Sequence, residues 1–137
     1  MKTIVQKFGG SSVANAQRVF NVARIVTEVV SAQGDTTDDL IEKAKEINPN
    51  ASKREMDVLL ATGEQMSMSL LAMAIEKLGC PVVSLTGWQA GVRTDTNHGA
   101  SHIKTLKAER IQNELAKKNI VIVAGFQGIN RYDDVTT

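Results

Sequence analysis

The sequence contains one cysteine, almost no net charge and no long uninterrupted apolar run. Cys80 alone cannot form an internal disulfide, which fits a reducing compartment. The longest apolar run, residues 120–126, is too short to cross a bilayer, and Gln6 and Lys7 interrupt the apolar start too early for a secretory signal. We therefore expect a cytoplasmic protein without a membrane partner.

The net charge and the chain length limit the partners and the number of domains that this protein can have. The 16 basic and 15 acidic residues leave a net charge of +1, so no overall field attracts nucleic acid and no nucleic-acid partner is expected. A chain of 137 residues, 42% of them apolar, can form one domain with a real core but not two of ordinary size.

The N-terminal stretch TIVQKFGGSSVANAQRVF places a lysine between an apolar run and two glycines. Residues 3–8 predict a short strand, Gly9 and Gly10 a sharp turn, and the apolar spacing from Ser12 onward a helix. Backbone N–H groups and a helix N-terminus then converge near Lys7, which suits an anion such as phosphate. The residues are equally compatible with a simple tight turn and a solvated strand end, and they match neither common nucleotide-binding glycine motif.

Two capping-box patterns mark the start of helices in the middle of the chain. Ser52 pairs with Glu55, and Thr62 pairs with Gln65 at the same spacing. We therefore expect two successive helices, the second ending at Gly79.

Short strands rich in valine and isoleucine alternate with helices. Strands are predicted at residues 82–86 and 120–124, and a helix at residues 108–118 with Asn119 as its left-handed cap. This order predicts an α/β fold in which helices cover both faces of a mostly parallel sheet. Ligands bind at the carboxyl ends of the strands in such sheets. Four glycine-bearing loops are expected at that edge: residues 7–10, 31–34, 86–87 and 125–128.

One junction lacks a turn. A helix predicted up to Glu28 passes directly into a strand that starts at Val29, although such connections usually take about 2–6 residues. We expect either an early end of the helix or residues missing between Glu28 and Val29.

Five segments together resemble the aspartokinases of the amino acid kinase family. They are KFGGSSVA, SAQGDTTDDLI, REMDVLLATGEQMS, TGWQAGVRTD and VAGFQGIN, in the order typical of that family. The resemblance implies a three-layer αβα sandwich, of which residues 1–137 are a partial catalytic domain without the C-terminal nucleotide half and the regulatory domains. It also implies that ATP phosphorylates the side-chain carboxylate of L-aspartate to 4-phospho-L-aspartate, the first step towards lysine, threonine and methionine.

The resemblance assigns the ATP phosphates to the N-terminal turn. Lys7 would be the catalytic residue, contacting the phosphates as a compact cation, and Phe8, Gly9, Gly10 and Ser11 would bind them beside it. Simple helix capping is an equal alternative for Ser11.

The aspartate site that the resemblance implies lies on other loops. Glu64 would hold the α-ammonium group, Thr37 and Ser31 would bind carboxylate oxygens, and Gly125 and Phe126 would line the pocket. The structural alternatives are a glutamate that complements the helix dipole, a helix cap, a strand-end turn and ordinary core.

No metal site is predicted in the protein itself. His98 and His102 are four residues apart, but Gly99 lies between them and no third ligand is evident. Mg²⁺ is expected to be carried by the nucleotide phosphates, and the full-length parent is expected to be a homo-oligomer. One alternative is another amino acid kinase that acts on a different carboxylate or phosphate acceptor; an acceptor with a blocked amino group would offer no cation to Glu64. The other is a fragment that keeps the fold without turnover.

We predict that this chain alone does not phosphorylate aspartate at a meaningful rate. In the family that it resembles, the arginine for the second substrate carboxylate and the groups that hold adenine and ribose come after the position of Thr137. Loss of one transition-state donor typically costs about 10²–10³ in kcat. An ADP-release assay with saturating aspartate and Mg-ATP measures this, and turnover near that of a complete aspartokinase would contradict it.

Overall fold

The computed structural model describes residues 5, 7, 9, 13–25 and 36–137. The predictions for Phe8, Gly10, Ser11 and Ser31, and for the junction at residues 28–29, lie outside the described residues. In chain order the elements are α1 (Ala16–Ile25), α2 (Thr36–Ile47), α3 (Lys53–Lys77), β1 (Val82–Leu85), β2 (Val92–Thr94), β3 (Ile103–Leu106), α4 (Glu109–Ala116), β4 (Ile120–Val123), β5 (Gly128–Ile129) and β6 (Val135–Thr136).

The sheet layer that organises the chain is the parallel pair β1 and β4. Val82 pairs with Ile120 and Leu85 with Val123. Alternate residues of β4 face opposite sides: Ile122 packs with α1 and α3, whereas Val121 packs in a second cluster with the apolar side chains of α4. Helices therefore cover both faces of this pair, which confirms the predicted α/β fold.

A second sheet has the strand order β3-β2-β5-β6. β2 pairs with β5 in parallel, while β2 with β3 and β5 with β6 are antiparallel. The sequence pattern missed these strands because each has only two to four residues. The strands of the second sheet are too short to show a period of alternating polarity.

Helix α3 begins as the first capping box predicts. Ser52 is its N-cap, and the Ser52 hydroxyl accepts a hydrogen bond from the backbone N–H of Glu55. The expected new helix at Thr62 is wrong, because α3 continues without a break to Lys77. The Thr62 hydroxyl instead donates to the carbonyl of Leu59 at 2.6 Å, inside the helix.

Burial of apolar side chains explains why α3 continues without a break at the second capping pattern, Thr62 with Gln65. Ala61, Met68, Leu71 and Ile75 recur at helical spacing and are buried in the core. Of the helices in the described ranges, α3 is the one that is long and apolar enough to cross a membrane by length and composition. The same composition suits a core helix, and α3 packs against α1, α2, β1 and β6.

The C-terminal end of α4 depends on Glu114. The left-handed residue there is Lys118, with a φ of 64°, so the prediction of Asn119 for that position is wrong by one residue. The Asn119 side chain instead donates to Glu114 at 2.8 Å, and Lys117 and Arg110 donate to the same carboxylate at 3.1 and 2.9 Å. These hydrogen bonds, above all those from Asn119 and Lys117, lower the pKa of Glu114.

We predict that Glu114→Gln destabilises the protein at neutral pH and that the difference disappears in acid. A carboxyl whose pKa is lower in the folded state stabilises that state above its unfolded pKa, and this contribution is lost as the pH falls through the folded value. Urea unfolding at pH 7 and at stepwise lower pH measures the effect, with the exposed Glu42→Gln as the control. Equal stability of Glu114→Gln and the unaltered protein at pH 7 would contradict it.

Candidate functional site

Two glycine-bearing loops meet at the carboxyl ends of β1 and β4. The backbone N–H of Ala124 donates to the carbonyl of Leu85 at 2.9 Å, which holds the two strand ends side by side. A Cβ added to Gly87 would lie 1.9 Å from the Gln127 carbonyl oxygen, so only glycine allows this approach. The prediction that loops 86–87 and 125–128 share one edge of the sheet is confirmed.

A cavity of about 450 Å³ opens beside the second of these loops. Gly125 and Phe126 line this cavity, and their contact with a substrate remains a prediction. Phe126 has a φ of 55°, and its side chain is 63% exposed. The cavity is also lined by Gln127 of the same loop and by polar residues from three other segments: Thr94, Ser101, Thr136 and Thr137.

Glu64 lies on the buried side of α3, with 7% of its surface exposed. The loop after β4 contacts the same part of the helix, because the Gln127 amide donates to the carbonyl of Ala61 at 3.1 Å. Glu64 follows Ala61 by one helical turn, although it is not among the described residues that line the cavity. A buried carboxylate next to a glycine-rich loop is suited to a cationic group.

The remaining described candidates lie at the N-terminal side of the chain. Thr37 is half-buried in the first turn of α2, and α2 packs against α3, the helix that carries Glu64. Lys7 and Gly9 are both exposed, and a Cβ added to Gly9 would meet no atom within 4 Å. Both positions are therefore accessible to solvent.

The two histidines of the sequence contact different carboxylates. Nδ1 of His98 lies 2.8 Å from Asp57, whereas Nδ1 of His102 lies 3.4 Å from Asp95. Hydrogen bonding by the backbone N–H of Asn97 is the largest cause that lowers the pKa of Asp95. Within residues 36–137 the pair therefore belongs to two separate interactions.

Sequence reasoning missed Asp57, which is 1% exposed on α3. It accepts hydrogen bonds from His98, from the backbone N–H of Gly99 and from the hydroxyl of Thr137. The available signal was its spacing: Asp57 and Glu64 are seven residues apart, at core positions of a mostly apolar helix face. An acid at such a position must have partners from elsewhere in the chain.

Comparison of the sequence with protein families identifies the family of this chain. The sequence model of the amino acid kinase family matches residues 2–136. The chain belongs to the amino acid kinase family.

Among amino acid kinases, the chain is similar to bacterial aspartokinases. It is 49% identical to the aspartokinase of Geobacillus stearothermophilus and 48% identical to aspartokinase 2 of Bacillus subtilis, in each case over the whole chain and 36% of the relative's length. The chain thus spans about a third of the length of these curated relatives. These alignments extend over 147 positions, whereas this chain has 137 residues.

Solved structures show the same fold. The aspartate kinase from Synechocystis matches with a TM-score of 0.77 and 38% identity, over 97% of this chain and 23% of that one. Aspartokinase III of E. coli, solved in complex with aspartate and ADP, matches with a TM-score of 0.85 over 99% of this chain and 43% of that one. At 20% identity this second match concerns the fold alone.

Proposed function

We propose that the protein to which this chain belongs transfers the γ-phosphoryl group of ATP to the side-chain carboxylate of L-aspartate. The observation that carries the proposal is the 48–49% identity to aspartokinases over the whole chain. The product, 4-phospho-L-aspartate, belongs to the route towards lysine, threonine and methionine. The proposed setting is the cytoplasm, with the full-length protein acting as a homo-oligomer.

The proposed aspartate site uses α3 and the loop after β4. Glu64 binds the α-ammonium group, since a buried carboxylate gains most from a fully charged, hydrogen-bonding partner. Gly125 and Phe126 enclose the substrate at the cavity, and Thr37 and Ser31 donate hydroxyl hydrogen bonds to its carboxylates. The attacking carboxylate has a reference pKa near 4, so it is ionised at neutral pH and needs no general base.

The proposed nucleotide contacts lie at the N-terminal turn. The exposed Lys7 and the open space beside Gly9 fit a phosphate group, because backbone N–H groups and one cation can approach it together. Phe8, Gly10 and Ser11 complete this turn in the sequence. Mg²⁺ bound to the phosphates would supply the remaining charge neutralisation.

The acceptor assay tests the proposed reaction on the full-length protein. Acyl phosphate formed from Mg-ATP is trapped with hydroxylamine, with aspartate, glutamate and N-acetylaspartate as acceptors. We expect product from aspartate and almost none from N-acetylaspartate, because blocking the amino group removes the cation that Glu64 binds. A preference for the N-acetylated acceptor would contradict the proposal and favour another kinase of this family.

Variants of the two charged residues should separate chemistry from binding. Lys7→Ala is expected to lower kcat about 10²–10³-fold with little change in the KM for aspartate, because its partner is the transferring phosphoryl group. Glu64→Gln is expected to raise the KM for aspartate about tenfold or more, with nucleotide affinity nearly unchanged. Lys43→Ala and Glu42→Gln, exposed on α2, are the matched controls. Interchanged effects would overturn these roles.

A further inference from the structure

We propose that Asp57 is a positioning residue that fixes one wall of the cavity at Phe126 and thereby sets the affinity for the acceptor substrate. The part that concerns affinity rests on the proposed function. Asp57 does not line the cavity, so it would act through the residues that it holds.

Asp57 is a buried carboxylate that accepts hydrogen bonds from two segments distant in the sequence. The backbone N–H of Gly99 lies 3.1 Å from each carboxylate oxygen, and Nδ1 of His98 lies 2.8 Å from Oδ2. The hydroxyl of Thr137, eighty residues along the chain, donates to Oδ1 at 2.5 Å. One side chain of α3 thus joins the loop around Gly99 to the segment that follows β6.

The joined segments form part of the cavity surface. Ser101 donates to the carbonyl of Thr137 twice, from its backbone N–H at 3.1 Å and from its hydroxyl at 3.0 Å. Gly99, Ser101 and Thr137 all line the cavity, together with Gly125 and Phe126. The position of this wall therefore depends on the contacts of Asp57.

These contacts require a carboxylate at position 57. A charged acceptor that is 1% exposed is tolerated only when several donors converge on it, and here they do. Gly99 has a φ of 76°, a conformation that glycine adopts without strain, and its N–H points to Asp57 in that conformation. Asp57 also precedes Glu64 by about two turns on the buried face of α3, so the rigid helix links the wall to the proposed ammonium site.

The test uses Asp57→Asn in the full-length protein. Hydrogen exchange of the peptide covering residues 95–102 is expected to become about tenfold faster, because the charge-assisted bonds to Gly99 and His98 are weakened. Calorimetric titration is expected to show aspartate bound about tenfold more weakly, with affinity for Mg-ATP nearly unchanged. Thr137→Val, which removes one donor and leaves the carboxylate with two partners, should change both readouts in the same direction but less.

The control is Val22→Ala, a truncation in the core between α1 and α3 that is away from the cavity. If it weakens aspartate binding as much as Asp57→Asn at an equal loss of melting temperature, Asp57 has only a structural role and the proposal fails. Unchanged exchange at residues 95–102 in both Asp57→Asn and Thr137→Val would also overturn it. If the unaltered protein does not bind aspartate, the proposed function fails instead, and the exchange data still decide whether Asp57 fixes the wall.

Discussion

Burial of one face of α3 is the constraint on which the rest of the structure depends. This face packs against α1 and against the parallel strands, and Leu71 and Ile75 lie at its centre with almost no exposed surface. At about 25 cal/mol per Å² of apolar surface, such burial outweighs any single capping interaction. Helix length, sheet position and loop placement all follow from keeping this face covered.

The same face also carries two acidic residues, Asp57 and Glu64, so two carboxyl groups lie inside the core. Apolar neighbours make the environment of Asp57 and Glu64 poor in water, so each charge needs specific partners. For Asp57 these partners are the loop around Gly99 and the segment at Thr137. The cost of burying a charge therefore requires the loop around Gly99 and the segment at Thr137 to lie beside Asp57.

Local chemistry predicted those parts of the fold that depend on neighbours in sequence. The capping box at Ser52, the start of β1 after Pro81 and the apolar strand β4 needed no information from distant residues. The second helix start at Thr62 failed because tertiary packing overrides a weak local signal. The pairing of β2 with β5 could not be predicted, since the paired residues Arg93 and Ile129 lie 36 residues apart in the sequence.

The residues of the candidate site likewise differ in whether the local sequence indicates them. The glycines at Gly87 and Gly125 are visible in the sequence, and the parallel order of the strands is enough to bring them together. Glu64 stood out only through the resemblance to a kinase family, because a glutamate near a capping pattern is ordinary by itself. Asp57 was missed because its partners are 41 and 80 residues away, and no local pattern marks such contacts.

The close approach of Gly87 to Gln127 has a consequence for how this site can diversify. Because the backbone of one loop already occupies the space where a side chain at position 87 would begin, that position offers no route to a changed pocket. Phe126, which lines the cavity with most of its surface exposed, is by contrast a position where a different side chain can change the cavity surface. A substitution at position 87 requires the backbone around Gln127 to move, whereas one at position 126 changes a side chain that is already largely exposed.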